Sequence, residues 1–233
     1  MRFVITRPLP EGERTAALLR SRGHDTLVAP LMRVENIAAD LGSEWAAVIV
    51  TSAHAIGALA DAQREKLRTL PLFAVGRRSA DAARQAEFSN VASADGAGSD
   101  LVELITARCK GATLPLLYLA GEDRAFDLTD ELAGMGIAAK TVVVYRAVTL
   151  PYPPALSDAL RSGSVDAVLH FSRRSAENYL AGGNVAGIVE HARAARHFCL
   201  SAQVAEPLRA AGAITVVAAQ SDEAALLELV ESV

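Results

Sequence analysis

Six arginines follow short apolar runs in this chain: Arg7, Arg77, Arg78, Arg124, Arg173 and Arg174. A guanidinium presents a planar fork of donors that matches a carboxylate or phosphate bidentately. Beside them stand turns rich in hydroxyl groups or glycine: Ser52 with Ala53 and His54, Gly76, Gly121, Ser172, and Ser201. If each apolar run is a strand and each turn opens a helix, free backbone N–H groups and the helix dipole favour an anion there. That is the side on which open α/β sheets bind ligands. The plainer alternative is that exposed first-turn arginines only keep the surface soluble.

Other chemistry has less support. The sequence contains no GxSxG elbow, HExxH helix, GxGxxG turn or P-loop. Its five histidines, at 24, 54, 170, 191 and 197, lack the spacing of metal ligands, so a metal site is not expected. His24, His191 and His197 read as structural or solvated. His54 lies in the first turn after Thr51-Ser52, where both a site role and a structural one remain open. Gly121 lets a ligand approach the backbone closely, while Glu122 and Asp123 fit first-turn charge as well as a site. Tyr145 follows Val144 in an exposed-looking strand; its phenol can face a cleft and donate a hydrogen bond, or simply pack.

With 233 residues, 51% hydrophobic and 21% charged, the chain has the composition of one large or two smaller folded domains. A net charge of −4 argues against a general nucleic-acid binder, while leaving room for a local basic site. Cys109 and Cys199 sit in apolar stretches and read as buried thiols rather than a disulfide scaffold or a metal site. The first residues hold too short an apolar run for a signal-peptide core, and no run is long enough to span a membrane. The expected compartment is the cytoplasm.

These residues need strands to deliver them, and the chain supplies strands in duplicate. Val48-Ile-Val-Thr-Ser-Ala-His matches Val168-Leu-His-Phe-Ser-Arg-Arg, bringing Ser52 onto Ser172. Phe73-Ala-Val-Gly pairs with Phe198-Cys-Leu-Ser, and Phe3-Val-Ile-Thr with Leu116-Leu-Tyr-Leu. Gly23 and Gly136 each end a helix in the left-handed conformation. The offsets drift from pair to pair, which describes an old duplication rather than a tandem solenoid. Strands are predicted near 2–6, 25–29, 46–51, 71–75, 114–119, 138–145, 165–171, 196–200 and 213–218. Their alternation with helices implies α/β units with parallel sheets and right-handed crossovers. Segments near 31–37 and 145–154 read as linkers, the second carrying Pro151, Pro153 and Pro154 after an exposed-looking Tyr145–Thr149 strand that could pair antiparallel with 31–36, and two linkers mean that one domain is inserted into the other.

Thr6-Arg7-Pro8, the Val-Thr-Ser-Ala-His-Ala turn, Ala74-Val75-Gly76, Leu117-Tyr118-Leu119-Ala120-Gly121, Val144-Tyr145-Arg146 and Phe171-Ser172 occur in an order and spacing that resemble bacterial uroporphyrinogen-III synthases along the whole chain. The resemblance implies two flavodoxin-like three-layer α/β domains joined by a two-stranded linker. One domain would comprise 1–34 plus 150–233, and the inserted one 37–145. It also implies cyclisation of the linear tetrapyrrole hydroxymethylbilane, with loss of water and inversion of the last pyrrole, by a monomer needing no cofactor. Tyr145 would be the tyrosine that assists departure of the hydroxyl group. The substrate's carboxylates would meet Arg7, Ser52, Ala53, His54, Gly76, Arg77, Arg78, Gly121, Arg124, Ser172, Arg173, Arg174 and Ser201. Two departures stand out: Leu200-Ser-Ala-Gln203 replaces a threonine-rich turn, and Arg173-Arg174 makes one lip more cationic. A non-enzymatic sensor closing over a small anion, or an inactive relative, fits the same residues.

Overall fold

In a computed structural model, described for residues 1–42, 44–94, 98–124 and 127–231, the chain divides into two compact units. The terminal unit comprises Met1–Arg33 and Val148–Val233, and the central unit Val34–Ala147. The chain opens with β1 (Arg2–Ile5), α1 (Glu11–Ser21) and β2 (Asp25–Val28), and β3 (Met32–Asn36) carries it into the central unit. There follow β4 (Ala47–Val50), α2 (Ala53–Gly57), α3 (Asp61–Leu67), β5 (Leu72–Val75), α4 (Gly76–Gln85), β6 (Val91–Ala94) and α5 (Gly98–Cys109). Next come β7 (Leu116–Gly121), α6 (Leu128–Gly134) and β8 (Ala139–Thr149), which returns to the terminal unit. That unit is completed by α7 (Pro154–Arg161), β9 (Ala167–His170), α8 (Arg173–Val185), α9 (Val189–Ala194), β10 (Arg196–Cys199), α10 (Ala202–Ala210), β11 (Thr215–Val217) and α11 (Glu223–Glu231).

The sheet of the terminal unit runs β11-β10-β9-β1-β2, with every neighbouring pair parallel. Numbered along the chain this is the flavodoxin-like order 2-1-3-4-5. The other sheet runs β3-β8-β7-β4-β5-β6. Apart from β3 it has the same spatial plan, since β7 and β8 take the places of β1 and β2, and β4 to β6 those of β9 to β11. The corresponding segments are therefore permuted: the pair that comes first in the terminal unit comes last in the central one. The repeat seen in the sequence has a repeated sheet beneath it.

Period-2 alternation builds the layers. In the terminal unit Val4, Val168 and Cys199 pack under Leu156, Ala176, Tyr179 and Leu208. Their neighbours Phe3, Ile5, Leu169 and Phe198 pack on Ala16, Leu19, Leu226 and Val230 on the opposite face. In the central unit Val48, Val50, Leu72 and Leu119 meet Ile56, Ala80 and Ala83, while Ile49, Phe73 and Tyr118 meet Leu101, Ile105 and Leu132. Strands apolar on both faces and covered by helices on both sides are the signature of a buried parallel sheet. Gly23 and Gly136 follow α1 and α6 with φ of +82° and +75°, as their positions predict.

Three local expectations change. β6 is absent from the predicted strands because Val91-Ala-Ser-Ala offers one bulky side chain and no apolar run; its pairing with β5, Leu72 opposite Val91, makes it a strand. The strand predicted over 138–145 and the exposed-looking strand of the linker over 145–149 are one continuous β8. Its partner is β3: the Ile37 N–H bonds the Val144 carbonyl at 2.7 Å and the Leu150 N–H bonds the Leu31 carbonyl at 2.9 Å, an antiparallel progression. Both thiols are free, but Cys109 is only half-buried, because it closes the last turn of α5, whereas Cys199 is enclosed in β10. Among the described residues no helix is long and apolar enough to cross a membrane.

Candidate functional site

In an open α/β sheet the ligand crevice forms where the strand order reverses, at the C-terminal strand ends. In the central unit that point lies between β4 and β7. β4 ends in Thr51 and Ser52. The Ser52 hydroxyl caps α2 by accepting the His54 N–H at 3.3 Å. β7 ends in Gly121 at an irregularity in its pairing with β8, where Gly121 lies opposite Tyr145. The Glu122 N–H donates to the Tyr145 carbonyl at 2.9 Å and pins the turn to β8.

Gly121 is required here by close approach. A Cβ at this position would stand 2.8 Å from two ring carbons of Tyr145 and 2.9 Å from its hydroxyl oxygen. The outer edge of the phenol ring therefore lies against the backbone at the end of β7. The His54 ring flanks it, with centroids 5.8 Å apart. Ser52, Ala53, His54, Gly121 and Tyr145, separate in sequence, thus share one strand-end region. Arg124 belongs to the same turn, but its guanidinium folds back onto the carbonyls of Gly121, at 3.1 Å, and Glu122, at 3.5 Å. On the neighbouring strand end Gly76 is the first residue of α4, and Arg77 and Arg78 are exposed in its first turn. Arg78 makes an internal contact, whereas Arg77 has no hydrogen-bond or ion-pair partner among the described residues.

One group of this region was passed over in the sequence. Tyr118, on β7, is 4% exposed, and its hydroxyl lies 3.1 Å from the Thr51 hydroxyl. Burial pushes the phenol's pKa up. The Thr51 bond and the Arg124 charge act against this, while Tyr145 and Asp127 add to the rise. The available signal was a tyrosine inside Leu116-Leu-Tyr-Leu-Ala, since a buried hydroxyl needs a partner.

The terminal unit reverses its order between β1 and β9. Ser172 caps α8 through the Ser175 N–H at 3.1 Å, and Ser201 caps α10 through the Val204 N–H at 3.4 Å. The altered 200–203 turn thus keeps a capping hydroxyl. Arg173 and Arg174 occupy the first turn of α8, where backbone amides have no carbonyl one turn back to bond. The side chains of both have partners within the protein. Arg173 bonds Glu177 at 2.8 Å and also pairs with Glu206, and these acids raise its pKa further. Arg174 likewise makes an internal contact. Arg7 is partnered as well. Its guanidinium bonds Glu223 at 2.9 Å and Thr15 at 3.2 Å, and sits 4.1 Å from the centre of the Phe171 ring. The cations were legible in the sequence; the distant or neighbouring acids that neutralise them were not.

Among the described residues no cluster of His, Cys, Asp and Glu could hold a metal ion. His170 and His197 do meet, Nε2 to Nδ1 at 3.0 Å, but inside the terminal unit under Tyr179. Burial holds both imidazoles neutral, His170 well below its ordinary pKa and His197 at about 4; carbonyls of Ala192 and Arg193 partly counter the shift of His197.

Comparison with known proteins agrees with this architecture. The family model described as uroporphyrinogen-III synthase HemD matches residues 13–228. Sequence comparison with the curated proteins gave no match. Among solved structures, the uroporphyrinogen-III synthetase of Helicobacter pylori is similar at a TM-score of 0.71 with 20% identity, covering 100% of this chain and 99% of that one. A mutant uroporphyrinogen III synthase of Thermus thermophilus is similar at a TM-score of 0.57 with 18% identity, covering 100% and 98%. Such identities speak for the fold, and the family match extends over nearly the whole sequence: the chain belongs to the uroporphyrinogen-III synthase family.

Proposed function

We propose that this protein cyclises hydroxymethylbilane to uroporphyrinogen III, and that the β4–β7 strand-end region of the central unit is where the reacting end of the substrate is held. The observation that carries the assignment of the site is the Tyr145 ring laid on Gly121 beside His54. A phenol so fixed can donate a proton at one defined point.

The reaction asks for little more than that. Electrons from the terminal pyrrole nitrogen expel the hydroxyl group, the C–O bond breaks, and the departing oxygen takes a proton to leave as water. The resulting azafulvenium cation is electrophilic and closes without help at the unsubstituted carbon, which then loses its proton, giving the type I isomer. Type III requires the substituted carbon of the last ring to attack, form a spiro intermediate, fragment and reclose inverted. Catalysis is then mainly the holding of one conformation and exclusion of a faster wrong closure. In this reading Tyr145 assists departure of the hydroxyl. The substrate's acetate and propionate arms are met by the first-turn amides near Ser52, Ala53 and Gly76, and by Arg77.

The same reading takes the two compact units as two domains, 37–145 being inserted into the domain built from 1–34 and 150–233, and places a monomeric enzyme in the cytoplasm. The experiment is to supply freshly made hydroxymethylbilane and separate the product isomers. Type III is expected; type I alone, formed at the uncatalysed rate, overturns the assignment.

A further inference from the structure

Tyr118 and Thr51 bridge the point at which the central sheet reverses its strand order, one on β7 and the other just past the end of β4. Tyr118 is paired in register with Ile49, and its ring packs with Ile49, Phe73 and Leu132 in the core facing α5 and α6. For that packing phenylalanine would serve as well. The hydroxyl is what differs, and a hydroxyl taken out of water is costly unless bonded. Its partner here is the Thr51 side chain at 3.1 Å. Thr51 in turn immediately precedes Ser52, whose own hydroxyl closes the first turn of α2 and whose neighbour His54 flanks Tyr145.

The terminal unit treats its own reversal point in the same manner. Thr6, at the end of β1, bonds Ser175 at 2.7 Å and the Leu169 carbonyl at 3.1 Å, both hydroxyl-bearing residues being fully enclosed. Each unit thus has a pair of side-chain hydroxyls at its reversal point: Thr51, just past β4, with Tyr118 within β7, and Thr6, just past β1, with Ser175 in the first turn of α8. In the terminal unit the pair is sealed in the core. In the central unit it is drawn from a tyrosine and reaches a half-buried turn beside the Tyr145 phenol.

We propose that Tyr118 is a positioning residue of the synthase reaction: through Thr51 it fixes the 51–54 turn, and so the place of Ser52 and His54 against the substrate. The inference rests on the proposed function. It differs from a role in folding because deletion of one oxygen leaves the packed ring in place, yet frees the turn.

The test uses Tyr118→Phe, Thr51→Val and Thr51→Ser in the full chain, with hydroxymethylbilane as substrate. Thermal midpoint, KM, kcat and the ratio of type III to type I product are measured. Tyr118→Phe and Thr51→Val are expected to raise KM about fivefold, the scale of one hydrogen bond, and to leak type I isomer. Thr51→Ser, which keeps the hydroxyl, stays near the parent, and the Tyr118→Phe/Thr51→Val double variant is no worse than either single one, because both remove the same bond. Wild-type KM and isomer ratio in Tyr118→Phe and Thr51→Val sink the proposal. So do losses in the two single variants that simply add in the double. Should Tyr118→Phe fail to fold, Thr51→Val decides alone. If the parent protein itself gives no type III isomer, the functional assignment fails instead, and the two failures are thus distinguishable.

Discussion

At the scale of single residues, the arginines separate into two kinds that their sequence context does not distinguish. Arg7 has 14% of its side chain exposed and is held by Glu223, Thr15 and the Phe171 ring. Its replacement by alanine is expected to lower stability by about 1–2 kcal/mol, from a partly buried ion pair and a cation–π contact, as read by urea denaturation. Arg77, exposed and without a partner among the described residues, is expected to behave in the opposite way: Arg77→Ala leaves the denaturation midpoint unchanged and raises KM about tenfold, the scale of one charge-assisted bond. An unchanged KM removes Arg77 from the site. Gly121→Ala makes a third case. The new methyl stands 2.8 Å from the outer ring atoms of Tyr145, which can swing away, so the fold survives while the phenol moves. A fall in kcat on the order of 10- to 100-fold with little change in thermal midpoint is expected. Retention of full kcat would show that the position of this phenol is immaterial. Gly121 and Tyr145 were legible as a glycine turn and an unusual strand tyrosine; that one is the seat of the other follows only from β7 and β8 lying side by side.

The hydroxyls at strand ends acquire their meaning at the scale of elements. Ser52, Ser172 and Ser201 were read as ligand donors, and each is the N-cap of the helix that follows. These roles are compatible, because a capping oxygen spent on the second or third amide leaves the first amides for an anion. For Ser172→Ala a loss of about 1 kcal/mol in stability is expected from the uncapped α8. Circular dichroism and denaturation would check it, and a variant as stable as the parent would show that the cap contributes nothing measurable. The apolar runs, the glycines past α1 and α6 and the serine-led turns were readable because each is a local preference. β6 was not, since Val91-Ala-Ser-Ala is extended only through its bonds to β5. β8 was legible in two pieces, a strand over 138–145 and an exposed-looking one over 145–149; that the two are a single strand is decided by its pairing with β7 and β3.

For the whole molecule, the enclosed His170–His197 pair makes stability depend on acid. Both imidazoles have pKa values below the ordinary 6.5 when folded, His197 at about 4, so they stay neutral while the unfolded chain takes up protons. The unfolded state then binds more protons, and stability falls as the pH is lowered from about 6.5 towards 4, by up to about 1.4 kcal/mol per pH unit for each histidine. Urea midpoints between pH 7 and pH 5 should decline, and His197→Phe should make the decline shallower; a flat profile for the parent would refute the account. His197 alone read as structural or solvated, His170 only as lacking ligand spacing, and nothing in the sequence placed them 3.0 Å apart. By itself the sequence determined the α/β class, the duplication and the family resemblance, because these reside in periodicities and short motifs that neighbouring residues define. Only the tertiary structure decided which cations are already neutralised, that Tyr145 rests on Gly121, and that Tyr118 reaches Thr51. Those are contacts between strands and helices distant in the chain, selected by sheet order and register, and no local preference encodes which of many compatible side chains will face one another.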